Sequence, residues 1–171
     1  MKSIVIYSSL TGNTKQVAEA ITSVLPAGTP CVSMQELPSD VSSYDLVFAG
    51  FWVDKGTANK EARDVLGTLH NPYIALFATA GVPPQMAHAK ESLINAANCL
   101  PDGVETVGTF ICQGKVDPKV IEMMYKMFPK GHSHGQSADR DARHKQAAVH
   151  PNEDDFKAAQ DFAQYILAKL D

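Results

Sequence analysis

The chain has few of the residues that build disulfide-rich, membrane-spanning or nucleic-acid-binding proteins. Its three cysteines, Cys31, Cys99 and Cys112, are odd in number and widely spaced, with no CxxC pair. We therefore expect reduced thiols in a cytoplasmic protein rather than a disulfide framework. No apolar run is long enough to cross a membrane, and the first predicted strand starts too early for a signal peptide. The net charge is −4, so the chain lacks the excess of basic residues that is typical of nucleic-acid-binding proteins.

Three common motifs of phosphate chemistry are also missing. No GxGxxG follows the first apolar run, which excludes the usual dinucleotide fingerprint. The stretch from Gly108 to Lys115 is one residue too long for a nucleotide P-loop, and Val116 stands where Ser or Thr would bind magnesium. The first strand ends in Ser8-Ser9, whereas a phospho-accepting receiver domain would carry an Asp there.

Short apolar runs alternate with helical spacing along most of the chain. The predicted strands are Lys2–Tyr7, Pro30–Met34, Tyr44–Phe51, Pro72–Thr79 and Val104–Cys112. The predicted helices are Asn13–Leu25, Ala58–Leu69, Pro84–Cys99 and Asn152–Leu170. This alternation predicts one domain with a three-layer, doubly wound α/β fold around a five-stranded parallel sheet. Such sheets bind ligands outside the carboxyl ends of their strands, here Ser8–Thr14, Gly50–Thr57 and Thr79–Pro83.

The loop Ser8–Thr14 is the most informative part of the sequence. A buried strand runs into hydroxyls, a glycine and an amide, and the loop then opens a helix. The unpaired N–H groups and the positive dipole end of a helix start suit an anion. The extra side-chain donors therefore predict a phosphate group as the ligand, whereas a simple helix cap needs only one hydroxyl.

The run from Val5 to Ile21 (VIYSSLTGNTKQVAEAI) resembles the flavodoxin signature at each of its specified positions. The order of strands and helices and the two later loops are also similar to flavodoxin, over everything except about residues 117–150. The resemblance implies the strand order 2-1-3-4-5, non-covalently bound FMN and a role in electron transfer.

The resemblance also implies the residues that contact FMN. Those at the phosphate are Ser9, Leu10, Thr11, Gly12, Asn13 and Thr14. Those around the ring are Phe51, Trp52, Val53, Asp54, Gly56, Thr79, Ala80 and Gly81. Trp52 or Phe51 would stack on the ring, and Gly56, with Gly50 as the competing candidate, would supply a peptide able to turn towards flavin N5. We predict no catalytic residue and no metal ligand.

Residues 117–150 break the alternation and predict an insertion before the last helix. The insertion starts with a Met-rich helix, Pro118–Phe128, and continues as a polar, exposed segment. The helix either packs on the sheet edge, which we favour, or serves as a lid or docking surface. The His-Ser-His run at 132–134, with His144 and His150, indicates a solvated loop rather than a metal site. Basic side chains could instead recruit an acidic partner; they are Lys130, Arg140, Arg143 and Lys145.

The sequence thus predicts a flavodoxin that carries single electrons between a reductase and an acceptor enzyme, as a monomer or weak dimer. Its protein partners are redox proteins, and neither nucleic acid nor membrane is expected. Two alternatives stay open. One is an FMN-dependent NAD(P)H reductase of a quinone or another small acceptor, and the other is a non-redox binding module on the same fold.

Overall fold

A twisted parallel sheet forms the middle layer of the computed structural model, which describes residues 1–171. Its strands are β1 (Ser3–Tyr7), β2 (Cys31–Ser33), β3 (Leu46–Asp54), β4 (Thr57–Ala58), β5 (Tyr73–Ala80) and β6 (Thr106–Gln113). The long strands pair in parallel in the order β2-β1-β3-β5-β6, and β4 pairs antiparallel with β3. Without the short β4, this is the predicted order 2-1-3-4-5, and the predicted fold class is confirmed.

Six helices flank the sheet or follow it in the chain. They are α1 (Asn13–Thr22), α2 (Lys60–Leu66), α3 (Ala87–Ala97), α4 (Pro118–Met127), α5 (Ala138–Ala147) and α6 (Glu153–Leu170). Two single turns of 3-10 helix, Met34–Glu36 and Val41–Ser43, lie between β2 and β3. None of the helices combines the length and the apolar character that crossing a membrane requires.

The core consists of two apolar layers, one on each face of the sheet. Successive residues of β1 point to opposite faces, so Ile4 and Ile6 join one layer while Val5 joins the other. The first layer packs against α2 and α3, and the second against α1 and α6. The near-continuous apolar runs of β3 and β5 are therefore buried on both sides.

Strand β3 is longer than predicted, and this changes the second loop. The stretch from Gly50 to Asp54 belongs to β3, which turns back through Lys55 and Gly56 into β4. Both turn residues have positive φ, 50° and 77°, as a two-residue type I′ hairpin requires. The predicted loop Gly50–Thr57 is thus a strand end and a hairpin, because backbone pairing with β5 continues to Trp52.

The insertion differs most from its prediction. Helix α4 has no fully buried residue, so our interpretation that it packs on the sheet edge is wrong. The segment expected to be polar and exposed contains α5, whose N-cap Ser137 accepts a hydrogen bond from the Arg140 amide. Only Ala147 of α5 is buried, and this explains why no apolar periodicity revealed the helix. The ends of the insertion meet where the Lys115 amide donates to the His150 carbonyl at 2.8 Å.

The centre of the sheet allows no side chain at Gly50. A Cβ there would lie 2.1 Å from Cζ of the buried Phe77 ring. We expect Gly50→Ala to lower the free energy of unfolding by about 1–3 kcal/mol, because a close-packed core relaxes only by moving the ring or the strand. Urea denaturation of the purified protein measures this change.

Gly67→Ala is the matched control. A Cβ at Gly67 meets its nearest atoms at 3.6 Å, an ordinary contact, and the residue has helical backbone angles. Its stability should therefore equal or slightly exceed that of the wild type. If Gly50→Ala were as stable as Gly67→Ala, the packing argument would be wrong.

Candidate functional site

A cavity of about 630 Å³ lies at the carboxyl ends of the central strands. Its walls come from the loop after β1, the end of β3 and its hairpin, the end of β5, the segment after β6, and α4. The predicted site residues that line it are Ser9, Leu10, Thr11, Asn13, Thr14, Trp52, Val53, Asp54, Thr79, Ala80 and Gly81. The tertiary structure therefore brings all three predicted strand ends to one site, as the switch point of a doubly wound sheet predicts.

The loop after β1 presents backbone donors that no protein atom accepts. The amides of Ser9, Leu10, Thr11, Asn13 and Thr14 make no hydrogen bond within the protein. All five residues line the cavity. The loop ends at the start of α1, where the helix dipole adds positive potential. Together these groups form an anion site of the kind seen at helix N-termini.

Gly12 and Ser9 hold the loop in this shape. Gly12 has a φ of 94°, a left-handed conformation that suits glycine, and no atom lies within 4 Å of its Cβ position. The hydroxyl of Ser9 accepts hydrogen bonds from the amides of Gly12 at 3.1 Å and Lys15 at 3.3 Å. Gly12 therefore shapes the anion site through its backbone, although it is not among the residues that line the cavity.

Two hydroxyls of the first loop are used to join it to other elements. The buried Ser8 donates to the Glu61 carboxylate and accepts from the Asn59 side chain at 2.8 Å. The hydroxyl oxygens of Thr14 and Thr79 lie 2.9 Å apart, and both side chains are buried. The first bond ties the loop to α2, and the second ties the start of α1 to the end of β5.

The ring-binding residues predicted around β3 divide into two groups. Trp52, Val53 and Asp54 line the cavity, whereas Phe51 is fully buried in the core layer below α2 and α3. Gly56 lies outside the cavity wall, and its carbonyl accepts a hydrogen bond from Asn95 at 2.7 Å. Trp52 is therefore the aromatic residue of β3 that can meet a ring in the cavity.

Gly50 does not suit the role of a mobile peptide. Its carbonyl accepts a hydrogen bond from the Ser8 amide at 2.9 Å, and Phe77 packs where its Cβ would be. Rotation of that peptide would break the hydrogen bond between the Ser8 amide and the Gly50 carbonyl. Gly50 therefore serves to make room for the Phe77 ring.

The segment after β6 is a part of the wall that sequence reasoning missed. The Gly114 amide donates to the Ala80 carbonyl at 2.8 Å, and the Asn13 side-chain amide donates to the Lys115 carbonyl at 2.9 Å. A Cβ on Gly114 would lie 2.8 Å from the Asn13 side chain, so the two segments are in close contact. The weak signal in the sequence was the Gly114-Lys115 pair at a strand end, which we considered only as a P-loop.

Helix α4 and the start of α5 close the remaining side. Val120, Met123 and Met124 of α4 line the cavity together with His134 and Arg140. Tyr125 holds the two helices together, because its hydroxyl donates to Asp141 at 2.9 Å and lies 3.1 Å from Nδ1 of His144.

None of the titratable groups with shifted pKa values lines the cavity; they are Cys31, Cys112, Tyr125, Asp141 and His144. Burial raises the pKa of the Cys112 thiol to about 12, so this thiol stays protonated at neutral pH. Burial, followed by the positive charge of Arg140, lowers the pKa of His144. No group of three His, Cys, Asp or Glu side chains is arranged to hold a metal ion.

FMN, the cofactor implied by the resemblance, fits the residues present. Five free amides and the Thr11 side chain supply donors for a phosphate dianion at one end of the cavity. Trp52, Val53 and the apolar residues of α4 supply walls for a planar ring at the other. The fold and this site together define a flavin-nucleotide-binding class of α/β protein.

The chain belongs to the flavodoxin family, since residues 4–164 match the model of a flavodoxin domain. It is 35% identical to the flavodoxin-like domain-containing protein BilS of Clostridioides difficile, an alignment that covers 99% of this chain and 98% of that protein. The resemblance to flavodoxins drawn from residues 5–21 is thereby confirmed.

Two solved structures extend the likeness at the level of the fold. A flavodoxin of Streptococcus pneumoniae TIGR4 aligns with a TM-score of 0.57 at 14% identity, covering 98% of both chains. A flavoprotein of Lactobacillus acidophilus NCFM, solved in complex with FMN, aligns with a TM-score of 0.52 at 18% identity. That alignment covers 65% of this chain and 93% of the flavoprotein.

The Thr14–Thr79 contact provides a test of how the loop is held. We expect Thr79→Val to lower the free energy of unfolding by about 1–3 kcal/mol, because it leaves the buried Thr14 hydroxyl without its partner. Urea denaturation of the FMN-free protein measures the loss.

The double variant Thr14→Val with Thr79→Val removes both hydroxyls and serves as the control. It should lose less stability than the sum of the two single variants, because no unpaired hydroxyl is left buried. Strictly additive losses would show that the two hydroxyls do not depend on each other.

Proposed function

We propose that this protein binds FMN and carries electrons one at a time between a reductase and an acceptor protein. The observation that carries the proposal is the set of five free amides at the start of α1, opening into the same cavity as Trp52. When bound, FMN supplies the redox chemistry, since it can accept and give up single electrons.

In this proposal the loop after β1 anchors the phosphate. The amides of Ser9, Leu10, Thr11, Asn13 and Thr14 donate to the phosphate oxygens, and Gly12 sets the backbone conformation. The hydroxyl of Thr11 adds a further donor. Because the groups are already in place and need no rearrangement, little ordering cost opposes binding.

The ring lies between two different walls. Trp52 and Val53 of β3 line the cavity together with Thr79, Ala80 and Gly81 at the end of β5. Met123 and Met124 of α4 contribute a further wall. Thioethers are polarisable and adapt to aromatic rings, so α4 suits a cover over the flavin.

The side chains of the cavity favour an electron carrier over an enzyme with its own organic substrate. The acidic and imidazole side chains Asp54, His88, Asp117 and His134 line the wall, but none of them hydrogen-bonds a hydroxyl of Ser9, Thr11, Thr14 or Thr79, so no hydroxyl there is paired with a base. The protein's part is to bind the ring, exclude water with α4 and set the charge around it.

An anaerobic reductive titration of the FMN-loaded protein tests this role. We expect two separate one-electron steps in the absorption spectrum, and slow oxidation of NADPH in the absence of a reductase. Rapid turnover of NADPH with a quinone and no added reductase would instead favour the small-acceptor reductase. A colourless protein that takes up no FMN would favour the non-redox binding module.

Lys115 provides a second test, directed at the phosphate. It lines the cavity near Thr11 and Asn13, and its ammonium group has no carboxylate oxygen within 4.0 Å. We expect Lys115→Gln to weaken FMN binding about tenfold, because a charge-assisted contact to the phosphate contributes on the order of 1.5 kcal/mol. Quenching of flavin fluorescence measures the dissociation constant.

Riboflavin, which has no phosphate, is the matched control ligand. Its affinity should be the same for the wild type and for Lys115→Gln, and added salt should weaken FMN binding more in the wild type. Equal losses for both flavins would assign Lys115 to the shape of the cavity rather than to the phosphate.

A further inference from the structure

One face of α4 exposes apolar and basic side chains side by side. Met123 and Met127, four residues apart, are 54% and 65% exposed. Lys119 precedes Met123 by four residues and Lys126 follows it by three, so both lie next to Met123 on the helix surface. Lys126 pairs there with Glu122 of the same helix at 2.8 Å. Lys130 follows the last residue of α4 by three positions and is also exposed. We name Lys119, Met123, Lys126, Met127 and Lys130 the α4 face.

The α4 face lies at the rim of the cavity. Met123 both lines the cavity and remains more than half exposed, and Leu10, from the loop after β1, is 67% exposed and lines it as well. Large apolar side chains gathered at the mouth of a binding site are typical of a surface that a partner covers. A protein seated here would contact the rim of the site that holds the ring.

Charge is distributed unevenly between this region and the rest of the chain. Residues 115–150 contain seven Lys and Arg and four Asp and Glu, a net charge of +3. The remaining residues contain eight of the 15 basic and 15 of the 19 acidic side chains, a net charge of −7. The segment that carries α4 and α5 is thus net positive while the rest of the chain is net negative, and such a segment steers negatively charged partners towards it.

We propose that the α4 face is the docking surface for an acidic redox protein whose own electron-transfer site is surrounded by carboxylates. Lys119 and Lys130, which have no carboxylate oxygen within 4.0 Å, pair with those carboxylates, and Lys126 adds its charge beside its own partner Glu122. Met123 and Met127 supply the adaptable apolar centre. Two copies of this chain would not pair through their α4 faces, because a two-fold contact would bring like charges together. The inference rests on the proposed function, since it concerns the route of the electron to or from FMN.

Two haem proteins of opposite charge serve as probes, the acidic cytochrome b5 and the basic cytochrome c. One electron passes from the reduced FMN to the Fe(III) haem, which becomes Fe(II), and the flavin is oxidised by one electron. Stopped-flow absorbance gives the second-order rate constant at a series of salt concentrations. With cytochrome b5 the rate should fall as salt rises, whereas with cytochrome c it should rise or stay constant.

The triple variant Lys119→Gln, Lys126→Gln and Lys130→Gln tests the assignment to α4. Its rate with cytochrome b5 at low salt should be about tenfold lower than that of the wild type, and the difference should vanish at high salt. None of the three lysines lines the cavity, so the affinity for FMN should not change.

The matched control removes three exposed lysines elsewhere, Lys60 and two residues of α6, Lys157 and Lys169, again with Gln. It changes the net charge equally and should leave the rate with cytochrome b5 close to the wild-type value. Equal effects of the two triple variants, or a faster reaction with cytochrome c that salt slows, would overturn the inference. Failure to bind FMN at all would instead refute the proposed function.

Discussion

The free amides at the start of α1 are the constraint on which the rest of the site depends. Five backbone N–H groups between Ser9 and Thr14 donate to no protein atom. The first amides of a helix have no partner within it and are available to a ligand that accepts hydrogen bonds, and all five residues here line the cavity. The loop is held open for that ligand by the left-handed Gly12, by Ser9, and by the hydroxyl contact between Thr14 and Thr79.

The insertion is coupled to this loop through backbone contacts. The Asn13 side chain donates to the Lys115 carbonyl, and the Lys115 amide donates to the carbonyl of His150, where the insertion ends. The phosphate end of the cavity and the base of α4–α5 therefore share one short segment. This arrangement explains how residues far from the signature in sequence can form a wall of the same cavity.

The two ends of the cavity differ in the groups that would bind the cofactor. The end near α1 is polar and relies on backbone donors, which differ little from one side chain to another. The end near β3 and α4 relies on particular side chains, Trp52, Met123 and Met124. We infer that the first end secures the cofactor, whereas the second sets the environment of the ring and the surface that a partner meets.

Local sequence patterns were sufficient for the parallel sheet and the anion loop, and the resemblance to flavodoxins implied the strand order. Strand β1 and the loop after it could be predicted from the sequence, because an apolar run, a glycine and hydroxyl side chains in adjacent positions indicate a strand followed by a loop. The extension of β3 to Asp54 could not, since it depends on pairing with β5 as far as Trp52 and with β4 at Val53 and Asp54. The same holds for Phe51, whose burial follows from which face of the extended strand it occupies.

The insertion marks the limit of what the sequence alone determined. Its charge and its Met-rich helix were visible, but the sheet-edge position assigned to α4 was wrong, and α5 was missed. Neither helix buries more than one residue fully, and the two are joined by contacts between residues distant in the chain, such as Tyr125 with Asp141. The sequence by itself determined the family, the fold and the anion loop, because these depend on short-range patterns. Only the tertiary structure decided what closes the cavity, because that depends on contacts between residues distant in the chain.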